Sequence, residues 1–156
     1  MIKAIEAIIR RLRLDKDINV IQANGEGIKP ALPFGTYNIT SPYINGTGRE
    51  ITEYIPNQDG LEQKKIEEYR TTLSFNFYAD TEEETIELAF GVRQWFLFYG
   101  EEFLNEQNIV VAEIGNMENR TTFLVDSYEY KHGFDVQLRL TDEQTKTIDY
   151  FNQLGG

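Results

Sequence analysis

From Tyr69 the apolar and polar residues alternate: Tyr69, Thr71, Leu73, Phe75 and Phe77 fall on one side of an extended segment, Arg70, Thr72, Ser74 and Asn76 on the other. That period of two is the pattern of a strand with one buried face. Directly after it, Asp80 stands where a helix N-cap belongs, and Thr81 with Glu82, Glu83 and Glu84 sets carboxylates against free N–H groups and the positive end of the helix dipole. The helix predicted over 81–99 carries two adjacent apolar stripes. Leu88, Val92, Trp95 and Tyr99 form one, Ile86, Phe90 and Leu97 the next, with Ala89 and Phe96 between them. A sheet face needs a single stripe, so Ile86, Phe90 and Leu97 are candidate partner-binding residues, buried against another part of the domain or a neighbouring subunit. Trp95 is expected among the most buried side chains.

The first residues, MIKAIEAIIRRLRL, repeat Ile2, Ile5, Ile8, Ile9 and Leu12 at helical spacing with Lys3, Glu6, Arg10 and Arg13 opposite, which predicts an amphipathic helix. Residues 18–22 read as a short strand, and Lys29-Pro30-Ala31-Leu32-Pro33 as an extended connection. A strand over 34–44 is interrupted by Pro42, which marks an edge, a bulge or a departure from the sheet. Asn45-Gly46 and Gly48 turn the chain and 49–55 runs back, so 34–55 reads as a hairpin. Residues 56–65, PNQDGLEQKK, read as a polar, turn-rich loop, making 43–65 a projecting arm with too few apolar residues for its own core. On that arm Tyr43, Arg49 and Tyr54 are candidate partner anchors, because interfaces favour Tyr and Arg.

Residues 100–108 read as a polar connection and 109–114 as a short apolar strand. A long hairpin is expected from 119–130 and 134–140, turning at Lys131-His132-Gly133, with Phe134, Val136, Leu138 and Leu140 alternating against Asp135, Gln137 and Arg139. The end, 141–156, fits a helix or a strand, with the balance toward strand. The expected fold is therefore α+β: a mostly antiparallel sheet with an N-terminal helix, one long helix on one face and a projecting β-hairpin arm, all within a single domain of 156 residues.

Composition narrows the function classes. The chain has 10 Phe and 9 Tyr, enough for a packed core, and no Cys, so neither disulfides nor thiolate chemistry are open to it. A formal charge of −11 disfavours sequence-specific nucleic-acid binding, which needs a basic surface, and suits a protein that touches other proteins. Arg10, Arg11 and Arg13 read as a dipole-complementing, solvated face at a helix C-terminus. No apolar run reaches the roughly 20 residues of a membrane span, and the N-terminus lacks a signal-peptide pattern. A cytoplasmic protein is expected.

Candidate chemistry is thin. The one histidine, His132, sits beside a glycine in the expected turn and lacks a Ser/His/Asp order around it. Glu82, Glu83 and Glu84 are consecutive on a helix, whereas ligation wants i, i+3 or i, i+4 pairs, so capping explains them better than metal binding. Asp126 and Asp135 could be imagined as a glycosidase-like carboxylate pair, with no sugar-stacking cleft to support it. The glycine pairs NGEG and NGTG lack phosphate-loop spacing. No catalytic, cofactor-binding or metal-binding residue is assigned.

Three segments carry a resemblance: PALPFGTYNIT, YRTTLSFNFYADTEEETIELAFGVRQWF and NRTTFLVDSYEYKHGFDVQLRL. With the order of elements they span nearly the whole chain, which resembles the tail-terminator or neck-terminator proteins of long-tailed bacteriophages. The resemblance implies a structural virion protein of the tail or neck, assembled in the host cytoplasm. It implies a homohexameric ring that caps the tail tube, ends tail growth and offers a docking surface to head-side connector or neck proteins. DNA would pass through the ring unread. Partners are then other copies, the tail tube protein and neck proteins, with no cofactor and no membrane. Without the resemblance, the residues also fit a non-enzymatic protein-binding or assembly-adaptor domain outside any virion.

Overall fold

The computed structural model describes residues 1–148 except 26, 47 and 59. Its elements are α1 (Ile2–Lys16), β1 (Val20–Gln22), β2 (Phe34–Asn45), β3 (Ile51–Asn57), β4 (Gly60–Tyr78) and α2 (Glu82–Gln94). Next come a π-helical turn (Trp95–Tyr99), α3 (Glu101–Glu106), β5 (Val110–Ile114), β6 (Glu118–Asn119), β7 (Thr122–Phe123), β8 (Tyr128–Glu129) and β9 (Lys131–Ile148). The architecture is α+β: one mixed, mostly antiparallel sheet in the order β1-β2-β4-β9-β5, with only β1 and β2 parallel. Helices α1 and α2 pack on one of its faces.

The expected alternation in β4 sets the core. Tyr69, Thr71, Leu73, Phe75 and Phe77 are all buried, and each lies opposite a β9 residue: Leu140, Leu138, Val136, Phe134 and His132 in turn. Ile5, Ile8 and Leu12 of α1, and Ala89, Val92, Trp95 and Phe96 from α2 onward, close over that face. Phe96, Phe75 and Phe134 meet with ring centroids 5.5 to 6.3 Å apart. Each buried large apolar side chain contributes about 1.5–3 kcal/mol of transfer free energy.

Several local expectations are corrected. The cap of α2 is Thr81, not Asp80: its backbone is extended and its Oγ1 accepts from Glu84 N at 3.2 Å. Both residues have cap chemistry, and the hydroxyl three residues before Glu84 has the better reach. Tyr99 leaves the core stripe and is exposed, because the π-helical winding from Trp95 adds a residue to the turn and rotates the later side chains away from the stripe. Gly100 N donates to Trp95 O at 2.7 Å, and a Cβ at Gly100 would sit 2.5 Å from the indole. The polar connection over 100–108 contains α3, pinned by buried Leu104 and succeeded by buried Ile109.

The hairpin turning at Lys131-His132-Gly133 does not form. These three residues open the 18-residue strand β9, and the chain reverses earlier, where Leu124 N donates to Ser127 O at 2.7 Å between β7 and β8. Gly133 serves close approach instead of a turn: opposite Asn76, an added Cβ would lie 2.0 Å from Phe75 O. His132 is consequently buried, 6% exposed, with Nδ1 2.9 Å from Thr85 Oγ1. The Thr85 hydroxyl proton is committed to Glu82 O at 2.6 Å, so His132 Nδ1–H is the donor.

The arm is also built differently from a two-stranded hairpin of 34–44 with 49–55. Strands β2 and β3 do not pair; both lie along the same side of β4, β2 against 69–78 and β3 against 60–66. The 19-residue β4 is long enough to hold both in series, and the register shift between Ser41 and Ile44, which spans Pro42, marks where β2 ends its regular pairing. Within the expected loop over 56–65, Pro56 and Asn57 end β3 and residues 60–65 open β4, and β9 runs along the other side of β4 from Leu61↔Ile148 downward. The projecting arm is therefore three-stranded: β3, the first half of β4 and the last half of β9. The expected C-terminal strand holds for 141–148; 149–156 lies outside the described residues.

Candidate assembly surfaces

The two helix stripes are sorted as their spacing requires. Val92 and Trp95 of the core stripe are buried and Leu88 packs against the core, while Ile86, Phe90 and Leu97 remain 39, 54 and 39% exposed. They face the β5 side of the domain, where Arg93, on the same flank of α2, donates through Nε to Gly115 O at 2.9 Å. A groove of about 440 Å³ lies alongside, lined by Leu97, Glu101, Leu104, Ile109, Val110 and Val111 among others. Strand β5 is the terminal strand of the sheet here, so its outer backbone groups have no ladder partner among the described residues.

The opposite side of the domain is made by α1 and β1. Glu6, Ile9, Arg10 and Arg13 recur at helical spacing on the flank of α1 that overhangs β1, and Glu6, Ile9 and Arg10 line a groove of about 320 Å³ with Ile21 and Tyr37. Burial, and secondarily the Glu6 carboxylate, push the Tyr37 phenol above its ordinary value. Strand β1 is the other end of the sheet.

The predicted arm anchors do not converge. Tyr43 lies in β2 at the base of the arm, its ring stacked on Tyr69 with centroids 4.8 Å apart. Burial, then Asp142 and Tyr43, raise the Tyr69 phenol. Arg49 is exposed in the connection before β3. Tyr54 is exposed in β3 opposite Gln63. All seven residues of β3 are exposed, so this strand presents both of its faces to the surroundings.

One apolar surface escaped the sequence reading. The loop over 28–33 and the β7–β8 hairpin expose Ile28, Leu32, Phe123, Leu124, Val125 and Tyr128. Between them lies a groove of about 470 Å³ floored by Phe34 and Tyr78, whose rings stack at 4.8 Å beneath Lys29 Nζ, 5.8 and 5.7 Å from their centroids. The run Phe123-Leu124-Val125 held the signal, because a hairpin tip that apolar has no core to enter. Phe98 and Tyr99, packed edge to face at 5.1 Å, add to the stripe on α2.

The polar face of the sheet is held by Arg120. Its Nη1 donates to Ser74 Oγ, Phe75 O and Asn76 Oδ1 at 2.9 to 3.2 Å, and its Nη2 to Glu118 Oε1 at 2.8 Å and Asp135 Oδ1 at 3.2 Å. Asp135 is thus an ion-pair partner rather than half of a carboxylate pair with Asp126. Among the described residues no cluster of metal-ligating side chains occurs, and no helix is long and apolar enough to cross a membrane.

The surface features are thus two unlike edges, an exposed arm and an aromatic groove. A search of curated proteins returns no match. The family model described as phage neck terminator protein matches residues 1–156, the whole chain, and the chain accordingly belongs to that family.

Proposed function

We propose that this neck protein is a ring-forming structural component that acts without catalysis: six copies cap the tail tube, end its growth and present a docking surface to head-side connector proteins, with DNA passing through the ring. The observation that carries this reading is the pair of unlike open edges on opposite sides of one domain. A cyclic assembly needs heterologous contacts, in which one surface meets a different surface on the next copy. The β5 edge offers the exposed Ile86, Phe90 and Leu97, and the α1/β1 edge offers a groove beside the other terminal strand of the sheet. The exposed arm, bearing Arg49 and Tyr54 with Tyr43 at its base, is suited to reach the neighbouring ring or tube. His132 has no part in this function, since its Nδ1–H is spent on Thr85 beneath α2.

The reading places the protein in the tail or neck of the virion after assembly in the host cytoplasm. Negative-stain images of tails made without the protein test it: abnormal tube lengths or unjoined heads are expected. Tubes of normal length that join heads overturn it, as does a mass on tail ends that is not a multiple expected of a ring.

A further inference from the structure

We infer that the ring contact is a charge-matched docking of the α2/β5 edge of one copy onto the α1/β1 groove of the next; this rests on the ring reading above. Charge is divided unevenly over the chain. Helix α1 carries Lys3, Arg10, Arg11, Arg13 and Lys16 against Glu6 and Asp15, a cationic element in a protein of charge −11. From α2 through α3, seven glutamates stand against Arg93 alone. The two helices lie side by side on the sheet, so each keeps one flank for its neighbour within the fold and turns the other to an opposite edge of the domain.

The inner flanks are identified by contact. On α1, Arg11 bonds Asp15 at 3.0 Å and lies over the Phe103 ring, and Asp15 accepts from Trp95, so this flank is spent on α2 and α3. On α2, the flank of Glu84, Leu88 and Gly91 borders Lys16 across a shared groove. The residues left outward on α1 are Arg10 and Arg13 beside Ile9, two cations against the one carboxylate of Glu6; those left outward on α2 are Ile86, Phe90 and Leu97, with Glu83 one turn before Ile86 on the same flank and Glu101 lining the Leu97 groove. The two edges complement each other in shape as well as sign. One presents exposed apolar side chains flanked by Glu83 and Glu101, and the other an apolar groove lined by Arg10 and Glu6, with Arg13 one turn beyond Arg10 on the same flank.

A second copy of this chain is therefore the occupant. A net charge of −11 per copy repels at a distance, whereas these edges attract at contact, so the pairing also fixes which edge meets which. Like edges brought together would set Glu83 and Glu101 against their own kind, or Arg10 and Arg13 against theirs. That disfavours a two-fold dimer and favours head-to-tail closure.

Charge exchange tests the pairing. One variant carries Arg10→Glu and Arg13→Glu, the other Glu83→Lys and Glu101→Lys; assembly is monitored by sedimentation and native mass spectrometry at high protein concentration, with thermal melts to verify folding. Each variant alone is expected to need about tenfold or more protein for half-assembly. An equal mixture is expected to recover rings of alternating copies, because every junction then joins opposite charges and six is even. A single chain with all four changes is expected to close as the parent does. A parent that never forms a ring, in solution or on tube ends, overturns the ring reading and this pairing together. A parent that forms rings while both folded variants assemble equally well, or while the mixture stays dissociated, overturns the pairing alone.

Discussion

The Trp95 indole donates Nε1–H to Asp15 Oδ2 across 2.9 Å, fastening the end of α1 to the start of the π-helical turn. The same carboxylate oxygen accepts from Arg11 Nε at 3.0 Å. Burial alone would raise the Asp15 carboxyl, but the bonds from Trp95 and Arg11, with the charges of Arg11 and Lys16, outweigh it and hold the group below its ordinary value.

A carboxyl that titrates lower in the folded chain than in the unfolded one adds stability above the unfolded value of about 3.9, and loses it as pH falls through the folded value. Asp15→Ala is expected to cost about 1 kcal/mol near neutrality and less at the acid end, where the carboxyl is neutral and only an uncharged bond from Trp95 is left to lose. Denaturant melts of parent and variant across the acid range measure it. Curves that stay parallel at every pH would remove the clamp from the account.

Trp95→Ala tests the apolar half of the same contact. The side chain is fully buried, against Phe96 at 5.0 Å and Phe103 at 6.2 Å. Truncation leaves a large cavity and is expected to cost about 3–5 kcal/mol, read by equilibrium unfolding. Near-parent stability would mean that the helix layer is not held here.

How much of this was legible in the sequence depends on whether the pattern was local. The alternation from Tyr69 to Phe77 and the stripes on α2 are read within one element, and both appear as the spacing requires up to Trp95, where the π-helical winding turns Tyr99 out. Pairing partners distant along the chain are not written in any window: Leu61 meets Ile148, and Pro56 meets Leu61 through a turn that looked like the middle of a loop. Glycine misled at Lys131-His132-Gly133 because a close backbone approach and a turn demand the same residue. At the candidate surfaces Ile86, Phe90 and Leu97 were visible as surplus apolar girth. The cationic flank of α1 reads locally as dipole complement and solvated face, since its position opposite the β5 edge is a product of the fold.

His132→Ala is expected to lower stability by about 1–3 kcal/mol, from the bond to Thr85 and the vacated volume. Thr85 keeps its bond to Glu82 O, and the Thr81 cap of α2 is untouched. Below the melting range, tail joining is expected to be unaffected. Loss of joining with the fold and stability intact would return a functional role to this residue.

Arg120 and Gly133 act as one unit, because the guanidinium lies where a Cβ of residue 133 would project, 2.9 Å from Nη1. Gly133→Ala is expected to cost about 1–3 kcal/mol through overpacking. Arg120→Lys is expected not to restore the parent, since an ammonium cannot span Ser74, Asn76, Glu118 and Asp135 from one planar fork. Hydrogen exchange at the β4–β9 amides near Asn76 reads both; protection equal to the parent's would deny the coupling.

The arm separates folding from assembly. None of the described residues of β3, of β4 before Tyr69, or of β9 beyond Leu140 belongs to the buried core cluster, so the arm draws its order from backbone ladders rather than side-chain burial. Removing 46–68 behind a short Asn-Gly turn that joins Asn45 of β2 to its partner Tyr69, and ending the chain after Thr141, keeps the β2, β4 and β9 segments beneath both helices. This shortened protein is expected to melt within a few degrees of the parent, because the cluster from Ile5 to Leu140 is intact. It is also expected to lose binding to tube ends, since Arg49, Tyr54 and the open β3 edge go with the arm. Co-sedimentation with purified tails, beside a thermal melt, measures both halves. A folded, shortened protein that still caps and joins tails would show that the arm takes no part in assembly.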